Sequence, residues 1–188
     1  NCSTRNLKNL YMASLVWFRE DLRVADHKAL HAAAQSQEPL IALYLIDPEA
    51  WRNHAMASCR ISFLLSNLAA LKQSLAALHI PLIIIEVQRS AQTIQVIDQI
   101  VDAYSIKAIY FNDQYEVNEQ KRDQAIKKYF GAKSVAVKHF TDQVIFGPGE
   151  ILNKKGEAYT VFTPYKKAWL AHPELLSAIE PLPKPAMR

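Results

Sequence analysis

The sequence predicts a doubly wound α/β domain, a Rossmann-like sheet of five parallel strands in the order 3-2-1-4-5 with helices on both faces. Five short apolar runs recur along the first 140 residues, each parted from the next by a segment with helical spacing. Two of them, "LIALYLI" and "LIIIEV", are almost continuous in apolar residues, as strands covered on both faces are. Regular alternation of strand and helix calls for right-handed crossovers, and the commonest sheet built that way has this order.

The first strand is "SLVWF" at 14–18. The polar "REDLRVADH" leads from it into a helix over 27–36, with Asp26 as N-cap and Leu30, Ala33 and Ala34 on one face. The second strand is "LIALYLI" at 40–46, followed by the polar loop "DPEAWRNHAM". A long helix over 58–79 sets Ile61, Leu64, Leu65, Leu68, Leu71, Leu75 and Leu78 in one stripe, and Pro81 closes it. The third strand, "LIIIEV" at 82–87, precedes a helix over 91–104 built on Ile94, Ile97, Ile100 and Val101. "AIYFN" at 108–112 is the fourth strand, a helix over 116–130 follows, and "SVAVKHF" at 134–140 is the fifth.

Beyond 140 the rhythm breaks. Turn signals fall at Gly147-Pro148-Gly149 and Lys155-Gly156, then a helix runs from Thr163 to about Ala171. The proline-rich "PLPKPAMR" reads as part of a linker. The folded domain is therefore expected over 13–172. Residues 1–12 read as a disordered extension, with Met12 as the natural start, and 173–188 as the start of an interdomain linker to an absent C-terminal domain.

Half the residues are hydrophobic and 21% are charged, the balance of a soluble globular domain. The apolar runs are too short to span a bilayer, and "NCSTRNLKNLYM" lacks the apolar core of a secretion signal, so a cytoplasmic location is expected. Cys2 and Cys59 have no metal-ligand spacing and read as reduced thiols; no metal is expected. The net charge of +4 leans toward anionic partners. Lys127-Lys128, Lys154-Lys155 and Lys166-Lys167 are nevertheless scattered pairs that solvated faces explain equally well.

The four glycines, at 131, 147, 149 and 156, avoid the turns after the first, second and fourth strands. The GxGxxG fingerprint and the Walker A loop are therefore missing, as are HExxH and GxSxG, and no catalytic residue is expected in this chain. In a doubly wound sheet, ligands bind beyond the carboxyl ends of the strands where strand order reverses, here between the first and fourth strands. The polar loops at 19–26, 47–57 and 113–119 should all open on that edge. Arg19, Asp21, Arg23 and Asp26 fit a local salt-bridge network, and His54 fits an ordinary loop histidine. Glu116 and Glu119 complement a helix macrodipole, worth ~0.3–1 kcal/mol. Asp123, four residues beyond Glu119, is a like charge that costs a few tenths of a kcal/mol, and Arg122 at i+3 offsets it. Helix energetics leave Glu119 open between starting a helix and holding a ligand.

Four stretches resemble one family. "LVWFREDLRVADHKAL" resembles the N-terminal signature of the DNA photolyase/cryptochrome family, V-W-F-R-x-D-L-R followed by an aspartate and a helix. "FNDQYEVNEQKRD" is similar to the Asn-Glu segment of the folate-carrying photolyases, which repair cyclobutane pyrimidine dimers. "AWRNHAM" resembles their loop with a histidine near the folate, and "YTVFTPYKKAWL" the segment leading out of the antenna domain. The match runs in order over about residues 14 to 172.

The resemblance implies an α/β antenna domain that holds methenyltetrahydrofolate at its junction with a flavin domain. It implies cofactor contacts from Glu119, whose carboxylate accepts from the pterin amino group and ring N–H, from the amide of Asn118, and from His54 at the border of the cleft. In the whole family enzyme the antenna passes excitation to reduced FAD in the C-terminal domain, which repairs UV-damaged DNA. A monomer is expected. Two alternatives stay open: a cryptochrome-type blue-light photoreceptor, and a stand-alone nucleotide-binding α/β module. The second lacks its phosphate-site glycines here; the residues that would separate the first from a repair enzyme lie in the absent half.

Overall fold

The structure is a computed structural model that describes residues 12–187. The extension read over 1–12 thus lies, apart from Met12, outside the described residues, as does Cys2. The strands are β1 (Ala13–Phe18), β2 (Leu40–Ile46), β3 (Leu82–Glu86), β4 (Ile106–Asn112) and β5 (Ala136–Phe140). They form one sheet in the order β3-β2-β1-β4-β5, and every pairing is parallel.

Register and side-chain alternation divide the core in two. Val16 lies opposite Ala42 and Tyr110, and this row, with Phe18, packs beneath α1 (Lys28–Ala34) and α3 (Ser58–Ala76). Leu15 lies opposite Ile41 and Ile109, and this row, with Trp17 and Phe111, packs beneath α4 (Thr93–Tyr104) and α5 (Val117–Ala132). Both faces of the central strands are therefore apolar, which explains the continuous hydrophobic runs.

The helix starts and stops correct several sequence expectations. The N-cap of α1 is His27, whose Nδ1 accepts from the Leu30 amide at 3.0 Å; Asp26 instead has φ 49° and sits one residue too early. The loop after β2 contains a short helix, α2 (Pro48–Asn53), started by Asp47 Oδ1 accepting from the Ala50 amide and by proline at its first turn. In α3, Leu68, Leu71 and Leu75 are buried, whereas Leu65 falls on the edge of the stripe away from Leu71 and is exposed. That helix ends at Ala76, short of the expected 79, because His79 takes φ 59° and the Ile80 amide bonds back to the Leu75 carbonyl.

After β5 the chain forms α6 (Phe162–Leu170) and α7 (Leu175–Ala178). Buried Phe146 meets the Trp169 and His172 rings at 5.7 and 4.2 Å between centroids. Part of the segment expected as linker is docked. The Asp26 amide donates to the Leu182 carbonyl at 2.8 Å, the Leu182 amide donates to Asp26 Oδ1 at 3.1 Å, and Pro185 is buried. Among the described residues no helix is long and apolar enough to cross a membrane.

Candidate functional site

A cleft of about 290 Å³ opens at the carboxyl edge of the sheet. Trp17, Phe18, Arg19 and Glu20 reach it from the end of β1, and Tyr44, Leu45 and Asp47 from the end of β2. Trp51, His54 and Met56 line it from α2 and the residues after it, while Gln114, Glu116, Glu119 and Arg122 come from the β4–α5 side. The three loops expected on one edge therefore meet in one cleft, where strand order reverses between β1 and β4.

A buried ion pair holds one of the lining residues, Arg19, in place. Arg19 Nη1 donates to both carboxylate oxygens of Asp123 at 2.8 Å. The Arg19 guanidinium lies 4.8 Å from the Trp17 ring centre and 4.6 Å from that of Phe111. Burial pushes the Arg19 pKa down and Asp123 opposes it; arginine's intrinsic value is high enough that it stays charged. Arg122 donates to Asp123 Oδ1 and, at 2.8 Å, to Gln114 Oε1, and its guanidinium also lies 4.8 Å from the Trp17 ring. The offset of Glu119 by Arg122 expected from helix spacing is not made; Arg122 is committed to its neighbours instead.

The local salt-bridge network expected over 19–26 is largely replaced by long-range partners. Asp21 accepts from the Arg19 amide at 2.8 Å, from Asn112 Nδ2 at 2.7 Å and from His27 Nε2 at 2.9 Å. Asn112 Oδ1 takes the Ala29 amide in the first turn of α1. Arg23 donates to the Asp26 carbonyl and to Asp142, which in turn accepts from the Lys28 amide. The first loop is thus braced by β4, α5 and the segment after β5. Asn112 and Asp142 gave no sequence signal, and Asp123 was read only as a like charge near Glu119, because their partners lie far away along the chain.

The residues predicted to bind a cofactor occupy different positions. Glu119 is half-buried in the cleft wall, and its Oε2 is buried and makes no hydrogen bond in the protein. His54 is exposed at the rim, as the C-cap of α2. Asn118 is exposed in the first turn of α5 and is not part of the cleft lining. Sequence reasoning missed Trp17, Gln114 and Arg122 as cleft residues. Trp17 was visible only as an apolar strand residue, and its position at the carboxyl end of β1 was the available signal.

The DNA photolyase family profile, described as "DNA photolyase", matches residues 14–186. This chain belongs to the DNA photolyase family. Among its relatives, the deoxyribodipyrimidine photo-lyase of Vibrio cholerae is 36% identical over 156 residues, covering 83% of this chain and 33% of the relative. The enzyme of the same name from Salmonella typhimurium is 39% identical over 157 residues, with the same shares. This photolyase-family chain thus spans about a third of the length of those relatives. Among solved structures, a class III photolyase from Agrobacterium tumefaciens aligns with TM-score 0.75 at 23% identity, covering 98% of this chain and 36% of that one. A Synechocystis cryptochrome aligns with TM-score 0.80 at 24% identity, covering 95% and 37%. At those identities the likeness establishes the shared fold.

Proposed function

We propose that this chain is the light-harvesting, antenna-binding domain of a deoxyribodipyrimidine photolyase. The observation that carries the reading is the buried, unpartnered Glu119 Oε2 in a cleft at the strand switch point. A carboxylate in that state lacks a donor, and a pterin presents an amino group and a ring N–H side by side. Methenyltetrahydrofolate fits this demand, with Glu119 as its principal anchor, Asn118 supplying amide contacts from the exposed start of α5, and His54 bordering the rim. When bound, the folate supplies absorption of near-UV or blue light and passes its excitation to reduced FAD. This chain's share is binding, orientation and exclusion of water.

FAD belongs, on this reading, to a C-terminal domain beyond residue 188, and that domain is the principal partner of this one. The whole protein acts as a monomer in the cytoplasm on UV-damaged DNA, splitting cyclobutane pyrimidine dimers.

The test is Glu119→Ala in the protein that includes the flavin domain. Loss of a hydrogen bond to a charged group is worth ~1.5–3 kcal/mol, or about one to two decades in folate affinity. Folate occupancy from the near-UV band should fall while the melting temperature holds, and repair driven by light absorbed directly by the flavin should persist. Unchanged occupancy with a lowered melting temperature would reduce Glu119 to a helix-start residue.

A further inference from the structure

The sequence offered Lys127 no role beyond a solvated face. In the structure its Nζ lies 3.1 Å from Nε2 of His139, and among the described residues it forms no ion pair with a carboxylate. On the other side of the ring, His139 Nδ1 lies 2.9 and 3.0 Å from the two carboxylate oxygens of Asp113. We propose that Asp113, His139 and Lys127 form an acyl-acceptor site, in which Lys127 takes an acyl group from a small acyl phosphate with His139 as its general base. This chemistry is independent of the antenna reading.

Three elements converge on the ring. His139 stands on β5 in register with Phe111 of β4, and the two rings stack at 6.1 Å between centroids with planes 24° apart. Asp113 follows β4 directly, and its amide donates to the Phe140 carbonyl at 2.8 Å, which holds the carboxylate beside β5. Lys127 reaches in from α5. An ionised carboxylate only accepts, so Nδ1 carries the ring proton; an ammonium only donates, so Nε2 turns its lone pair to Lys127. A carboxylate placed this way fixes the tautomer of a base and stabilises the imidazolium formed when the base takes a proton. With the shared proton on Nε2, Nζ is a free amine and a nucleophile. Lys127 and His139 both line a hollow of about 240 Å³, so a small electrophile has access to both. The amine attacks the carbonyl carbon, an N–C bond forms, the C–O bond to phosphate breaks, and inorganic phosphate leaves with the bonding electrons. The proton lost by the nitrogen passes to His139 Nε2 and from there to water. The product is an uncharged amide, so the modification removes a positive charge one turn along α5 from Asp123.

The test is incubation of the purified chain with acetyl phosphate near neutral pH, followed by mass spectrometry on a peptide that carries both Lys127 and Lys128. Lys128 is exposed and adjacent, so it reports the rate of an unassisted lysine in the same molecule. Lys127 should be acetylated on the order of tenfold faster than Lys128, less than the ~10²–10⁴-fold that a positioned general base gives in enzymes. His139→Gln should bring the two rates together, because an amide accepts a hydrogen bond but does not take up the proton. Asp113→Asn should shrink the ratio by releasing the tautomer, and it decides the matter if His139→Gln does not fold. Equal rates at the two lysines in the unaltered chain, or a ratio that survives either substitution, would overturn the proposal and leave the cluster as a brace between β5 and α5.

Discussion

Asp21 gathers three donors in a buried position, and its charge state follows from them. Burial alone would raise the carboxyl pKa. The His27 imidazole, the Arg19 amide and the Arg19 charge outweigh it, and hold the group well below the usual carboxylate range. A depressed carboxyl contributes stability that is fully present above its ordinary value of 3.8 and is lost as pH falls below it. Asp21→Asn should therefore cost about 3–5 kcal/mol at neutral pH, typical of breaking a buried charged contact, and the cost should shrink in acid. Urea unfolding of both proteins at pH 7 and pH 3 checks this; a cost that is the same at both pH values would contradict it. Tyr44, which lines the cleft, is shifted the other way. Burial, then the charges of Glu20 and Asp21, pushes its phenol up to about 12, so it meets a ligand as a neutral hydroxyl.

With only four glycines, the chain closes its helices on other residues. Ala55, His79 and Ser134 each take a left-handed φ, of 48°, 59° and 58°, after α2, α3 and α5. In each case the next amide reaches back five residues, from Met56 to Trp51, Ile80 to Leu75 and Val135 to Phe130. This ending satisfies orphan carbonyls but places a side chain where glycine is favoured. Ser134→Gly should raise stability by ~0.5–1 kcal/mol, since left-handed backbone costs roughly 1–2 kcal/mol in other residues and glycine gives back part of that in chain entropy. A fall in the thermal midpoint would show that the Ser134 hydroxyl matters more than its backbone. By contrast, Leu75→Ala removes a fully buried side chain from the line that α3 lays on the sheet and should cost about 2–5 kcal/mol by chemical denaturation. The leucine stripe was readable because helical spacing records which residues face the core. The left-handed stops were not, because nothing in "LHIP" or "AKSV" signals a positive φ.

At the scale of the molecule, the cleft is small for a ligand site. Its volume of about 290 Å³ lies at the lower end of the range for sites that enclose most of their ligand. If a flavin domain supplies the other wall, this chain alone offers half an enclosure and covers less of the ligand's apolar ring than sites that hold their ligands tightly. The purified chain is expected to be colourless above the protein absorption band after gel filtration, with its fold intact by circular dichroism. A stoichiometric near-UV chromophore surviving that step would instead place the whole antenna site within this domain.

The strands, their parallel order and the edge that carries the cleft followed from the sequence itself. Apolar periodicity is a local property, and the handedness of crossovers leaves few ways to join such elements. The family signature was local too, in "VWFREDLR" and "YEVNE". What joins Arg19 to Asp123 across 104 residues, or Asp21 to Asn112 across 91, was decided only in three dimensions. Sequence spacing assigned those charges to their neighbours along the chain, and the fold offered better partners across the sheet. The same holds for Glu119. Its place in the first turn of α5 was legible, but whether its carboxylate found a partner depended on every element around the cleft, and the folded chain leaves one oxygen without a donor.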